Sequence, residues 1–89
     1  MLQRRTYIGS AQGLHARPAS LLTQAVTASG HTISISRPDD TPVAANSTLM
    51  VMSLALKHGE EVVLSCPHDS GKDTLDELAE LVETNWDAS

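Results

Sequence analysis

Thr32-Ile33-Ser34-Ile35-Ser36 alternates cleanly along the chain, Arg37-Pro38-Asp39-Asp40 follows with turn chemistry, and Thr41-Pro42-Val43-Ala44-Ala45 comes next. Alternation at a period of two, rich in β-branched side chains, sends Ile33 and Ile35 to one face and predicts a half-buried strand. The turn brings the chain back, and residues 41–45 complete a hairpin. Pro42 cannot donate to a ladder, so it suits an edge strand or a strand start.

Working outward, the upstream segment reads as a strand over residues 2–8 and a loop from Gly9 to Gly13. An amphipathic helix then runs from Pro18 to about Ala28, where Ala19, Leu22 and Val26 recur at helical spacing and Ser29-Gly30 stops the run. Downstream, Ser47 can cap a short helix from Thr48 to about Leu56, with Lys57 and His58 in its last turn and Gly59 at its end. Glu61 to Cys66 is a further strand ended by Pro67. Leu75, Leu78, Ala79, Val82 and Trp86 then give the best helical periodicity in the chain, capped by Ser70 or Asp73. The order is βαββαβα. Each strand offers one apolar face, which predicts an α+β fold: a single antiparallel sheet with the helices on one side and water on the other.

At 89 residues the chain fits one domain, residues 1–89, with a thin core. The single Cys66 can form no internal disulfide, and His15, His31, His58 and His68 show no i, i+4 pairing, so no metal site is expected. Net charge is −5 with only two aromatic residues, Tyr7 and Trp86, which argues against a nucleic-acid partner. The charge is uneven: residues 1–58 hold five basic and two acidic residues, residues 59–89 one basic and nine acidic. The first part is the one suited to an acidic partner. Arg4-Arg5 has no apolar stretch behind it, and the longest apolar run is too short to span a bilayer. A cytoplasmic monomer without membrane insertion is the expectation.

Gly13-Leu14-His15-Ala16-Arg17-Pro18-Ala19-Ser20 is where a glycine-bearing loop becomes a helix. The first N–H groups of a helix lack intrahelical partners and, with the macrodipole, favour an anion. Pro18 suits the first helical position. That environment favours the neutral imidazole of His15, whose ring nitrogen keeps a lone pair and can act as a nucleophile. A phosphoryl group on that nitrogen would be stabilised by the helix start and by the Arg17 guanidinium, which also faces the charge spread over a phosphoryl group in transfer.

Residues 13–19 resemble the active-site signature of the HPr family, histidine-containing phosphocarriers of the bacterial phosphoenolpyruvate-dependent sugar phosphotransferase system. Ser47 to Leu54 is similar to that family's serine-headed second helix. The resemblance covers essentially the whole chain and implies an open-faced β-sandwich with a four-stranded antiparallel sheet and three helices. It implies that enzyme I passes phosphate to the δ1 nitrogen of His15, that Arg17 steadies it, and that His15 donates it to the IIA domain of a sugar permease, with no cofactor. Docking would use the first two helices: Ala16, Ser20, Leu21, Gln24, Ser47, Leu49 and Met52. Gln24, Thr27 and Met50 stand where the family often carries charge, so docking should lean on apolar contacts.

In Gram-positive members a kinase phosphorylates the serine at the position of Ser47. The alternative reading is therefore a regulatory protein-binding module controlled at Ser47, with a serine kinase or a transcription regulator as partner. Here Asn46 precedes it in place of the usual lysine, and an N-cap role accounts for the serine without a kinase.

Overall fold

The computed structural model describes residues 1–86. Four strands, β1 (Leu2–Tyr7), β2 (Ser34–Ser36), β3 (Val43–Ala44) and β4 (Glu61–Cys66), form one sheet in the order β1-β4-β2-β3. All pairings are antiparallel, with Thr6 opposite Val62, Ile35 opposite Leu64 and Ile35 opposite Val43. Three helices, α1 (Ala16–Ser29), α2 (Thr48–Ser53) and α3 (Lys72–Glu83), complete the βαββαβα order. This is the α+β open-faced architecture that the pattern and the resemblance both implied.

The patterning explains the layers. Leu22 and Val26 of α1, Val51 of α2, and Leu75, Leu78 and Val82 of α3 form one cluster with Ile8, Ile33, Ile35, Val62 and Leu64 from the sheet side. The other sheet face carries Gln3, Arg5, Ser34 and Ser36. Even there Val63 and Ser65 are only 7% exposed, because β4 is flanked by β1 and β2. Pro42 lies just before the edge strand β3, the position that a missing N–H tolerates.

Helix boundaries depart from the sequence reading at four points. α1 begins at Ala16 with His15 as N-cap, so Pro18 is the third helical residue and not the first. A proline fits there too, because the third N–H is also without an intrahelical acceptor. α2 stops at Ser53 rather than near Leu56, leaving Lys57 and His58 outside it. Short-range bonds from Leu54 N–H to Val51 O (3.2 Å) and Ala55 N–H to Met52 O (3.0 Å) tighten the end. Ala55 then takes a left-handed φ of 51° and turns Leu56 into the core. At α3, neither Ser70 nor Asp73 is the cap: a 3-10 turn over Asp69–Gly71 leads straight in, with Gly71 at the N-cap. The helix ends at Glu83, and Trp86 lies beyond it, half-buried, its indole N–H donating to Leu81 O (2.8 Å).

Candidate functional site

Eight residues, 8–15, separate β1 from α1, and the segment is held at both ends. Gly13 has φ 81°, and a Cβ there would collide with the Leu56 carbonyl, so glycine is required both by conformation and by close approach. Its N–H donates to Ser10 O (2.9 Å), and the Leu14 N–H donates to Leu56 O (2.9 Å). Leu14 itself is buried at 4% exposure. His15, the next residue, thus leaves a fixed point.

His15 is half-buried, with extended backbone (φ −86°, ψ −165°), and its side chain makes no capping bond to the helix. The first α1 bond runs from Ala19 N–H to His15 O (2.9 Å). Among the described residues, the N–H groups of Ala16 and Arg17 meet no acceptor, and Pro18 has none to offer. The first turn holds no acidic residue. The solvent-exposed Arg17 guanidinium makes no ion pair among the described residues. A cation at the positive end of a helix, beside unsatisfied N–H groups, is an arrangement that an anion relieves. This is where His15 and Arg17, read from the sequence as partners, sit together.

The segment that Gly13 and Leu14 meet is braced by Arg37 and Glu60, which the sequence reading did not single out. Arg37 Nε and Nη2 donate to Glu60 Oε1 (2.9 Å) and Oε2 (3.1 Å), and Nη2 also reaches Ala55 O (3.3 Å). Glu60 Oε2 accepts from Lys57 N–H as well (2.6 Å). The Arg37 hydrogen bonds, with help from the Lys57 N–H, hold the Glu60 carboxyl below the usual carboxylate range. Arg37 is correspondingly raised by Glu60. The pair thereby shapes residues 55–60, whose Leu56 carbonyl and Lys57 backbone meet Gly13 and Leu14. Contacts separated by some twenty residues of irregular spacing leave no periodic trace, and so escape a sequence reading.

The expected docking residues lie on α1 and α2. Leu49 is 78% exposed and Met52 42%, joined by Met50 at 43%. Ala16 and Gln24 are exposed, and Ser20 and Leu21 half-buried. Gln24 Nε2 donates to Ser20 Oγ (3.2 Å). Ser47 is the N-cap of α2, its hydroxyl accepting from Met50 N–H (3.3 Å). No helix of the described residues is long and apolar enough to cross a membrane.

The family described as "PTS HPr component phosphorylation site" matches residues 2–84. The phosphocarrier protein HPr of Streptomyces coelicolor is 44% identical over 82 residues, covering 92% of this chain and 88% of that one. The HPr-like protein Crh of Bacillus subtilis is 31% identical over 83 residues, covering 93% and 96%. A crystal structure of HPr from Thermoanaerobacter tengcongensis superposes with a TM-score of 0.86 at 30% identity, covering 100% of this chain and 99% of the other.

Proposed function

This chain belongs to the HPr family of phosphotransferase-system phosphocarriers, and from that premise we propose that its 89 residues form one carrier domain whose phosphoryl group rides on His15. In this reading enzyme I carries a phosphoryl group derived from phosphoenolpyruvate. The His15 δ1 nitrogen attacks the phosphorus, a new N–P bond forms as the bond to enzyme I breaks, and no water takes part. A IIA domain then repeats the exchange in its own favour. The carrier is consumed and regenerated stoichiometrically, in the cytoplasm, without a cofactor.

The observation that carries the reading is the pairing of His15 at the N-cap with an Arg17 cation and first-turn N–H groups that, among the described residues, meet no ion-pair partner and no acceptor. A phosphoryl group on His15 would bring about two negative charges to that spot, stabilised by the helix start and the guanidinium. Transfer needs positioning and charge stabilisation more than covalent help, and both are present here. The open, apolar Leu49 and Met52 beside α1 supply a surface on which Ala16, Ser20, Leu21 and Gln24 can meet either partner.

The test is direct. Incubation with phosphoenolpyruvate, Mg²⁺ and enzyme I should give an acid-labile phosphate on the chain that His15→Ala abolishes. A label that survives that substitution would sink the assignment. The regulatory reading, drawn from the resemblance of Ser47 to the kinase-modified serine of Gram-positive members, predicts instead an acid-stable label at Ser47 from ATP and a kinase. The capping bond to Met50 already gives the Ser47 hydroxyl a structural use.

A further inference from the structure

α2 turns only Val51 into the core and leaves Leu49, Met50 and Met52 on the surface, Met50 at 43% and Met52 at 42% exposure. At about 100° of helix per residue, Met50 and Met52 fall on opposite flanks of Val51. Met52, three residues on from Leu49, shares the face of Leu49. These two are the docking residues expected of α2. The third methionine, Met1, is 79% exposed before β1, at the opposite edge of the sheet from β3, the strand that α2 contacts. The single thiol, Cys66, is fully buried. The sulfur within reach of a dissolved oxidant is therefore thioether sulfur, and one of the three thioethers lies beside Leu49.

We propose that Met52 is a modification site, oxidised to the sulfoxide by hydrogen peroxide, and that this change weakens docking of the carrier. The inference rests on the carrier reading of His15. The Met52 sulfur attacks one peroxide oxygen, and an S–O bond forms as the O–O bond breaks. After proton transfer the other oxygen leaves as water, so that sulfur is oxidised and peroxide reduced by one electron pair. A flexible apolar side chain thereby becomes polar. Docking through apolar contact then strips water from the new S–O group, a cost that an apolar partner surface does not return. A methionine sulfoxide reductase restores the thioether, its dithiol closing to a disulfide while the oxygen leaves as water. His15 and Arg17 carry no sulfur, so the effect belongs to KM and not to kcat.

The experiment treats the full chain with hydrogen peroxide, removes the oxidant with catalase and locates sulfoxide by peptide mass mapping. Steady-state phosphorylation by enzyme I and phosphoenolpyruvate is then measured for the wild type, Met52→Leu and Met50→Leu, each against its own untreated form. The expected result is sulfoxide at Met52 in the wild type and a KM raised by about fivefold or more, with kcat within about twofold. Reductase treatment should return the KM to its starting value. Met50→Leu should show the same rise, and Met52→Leu, which has no sulfur there to oxidise, should show none although Met1 and Met50 are oxidised. A Met52 left intact where Met1 is oxidised, a KM unmoved by sulfoxide at Met52, or an equal rise in Met52→Leu would each overturn the inference. A loss of kcat together with the far-UV helix signal would make the effect unfolding and overturn it too. Should Met52→Leu fail to fold, Met50→Leu carries the test, and absence of the rise in that variant overturns the assignment. An untreated wild type that takes no label on His15 overturns the carrier reading itself, whereas a labelled wild type whose KM ignores oxidation overturns only the role of Met52.

Discussion

Arg17 occupies the second position of α1, where a helix has least use for a cation and where no acidic side chain shares the first turn. Its Coulomb cost in the resting protein is the counterpart of its proposed use in transfer. Arg17→Ala should slow single-turnover phosphorylation by about 10- to 100-fold. Chemical denaturation should meanwhile find the variant as stable as the wild type or more so, by up to ~1 kcal/mol, because a like charge has left the positive end of the dipole. Slower transfer together with lower stability would contradict this account. Ala55 carries a different local cost. Its φ of 51° is a conformation that a Cβ opposes. Ala55→Gly relieves that strain while giving back some chain entropy, so a net gain of about 0.5–1 kcal/mol in unfolding free energy is expected, read as a raised urea midpoint. His15, Arg17 and Ser47 were legible in the sequence because each sits beside a helix-start signal. The contacts of Ser10 were not, because a single buried serine in a loop carries no pattern; only the fold brings Thr84 and Trp86 to it.

The elements differ in how far their limits could be read. β2, β4 and the body of each helix follow their hydrophobic periods, since burial of Ile33, Ile35, Val62 and Leu64 is what the period encodes. The ends of α2 and α3 do not, because tertiary bonds decide them: Leu56 O is taken by Leu14, and Thr84 O by Ser10. The α2–β4 connection is governed by the Arg37–Glu60 pair, and here pH enters. The Glu60 carboxyl is held below its free value of 4.5 by the hydrogen bonds from Arg37 and Lys57. A group with a depressed folded value stabilises the native state fully above the unfolded value and loses that contribution as pH falls through the folded one. Glu60→Gln should therefore remove part of the acid-side loss of stability that begins near pH 4.5, and should be most destabilising relative to wild type near neutrality. Both partners are about one-third exposed, so solvent tempers the effect. Melting curves measured from pH 3 to pH 7, a span of about two carboxylate titration widths, check it.

Across the whole molecule, charge and apolar surface are separated. The acidic residues are concentrated after residue 58, on and around α3, while His15, Arg17 and the exposed Leu49, Met50 and Met52 belong to the first part of the chain. Docking through α1 and α2 would thus meet a partner with few charges, and transfer from enzyme I should depend only weakly on salt. Raising ionic strength from 50 to 500 mM is expected to change the KM by no more than about threefold, since few ion pairs are there to be screened. A steep rise would place charged contacts at the centre of the interface. Leu49→Ser, by contrast, should raise KM while leaving kcat near wild type.

Trp86 is the chain's sole tryptophan, and its backbone N–H donates to Ser10, whose carbonyl closes the turn leading to His15. Indole emission is sensitive to polarity and to hydrogen bonding at the ring nitrogen, so the protein carries an optical probe of its own, with no competing indole elsewhere to dilute the signal. Stopped-flow fluorescence could therefore follow loading and unloading of the carrier in real time, without dye or isotope.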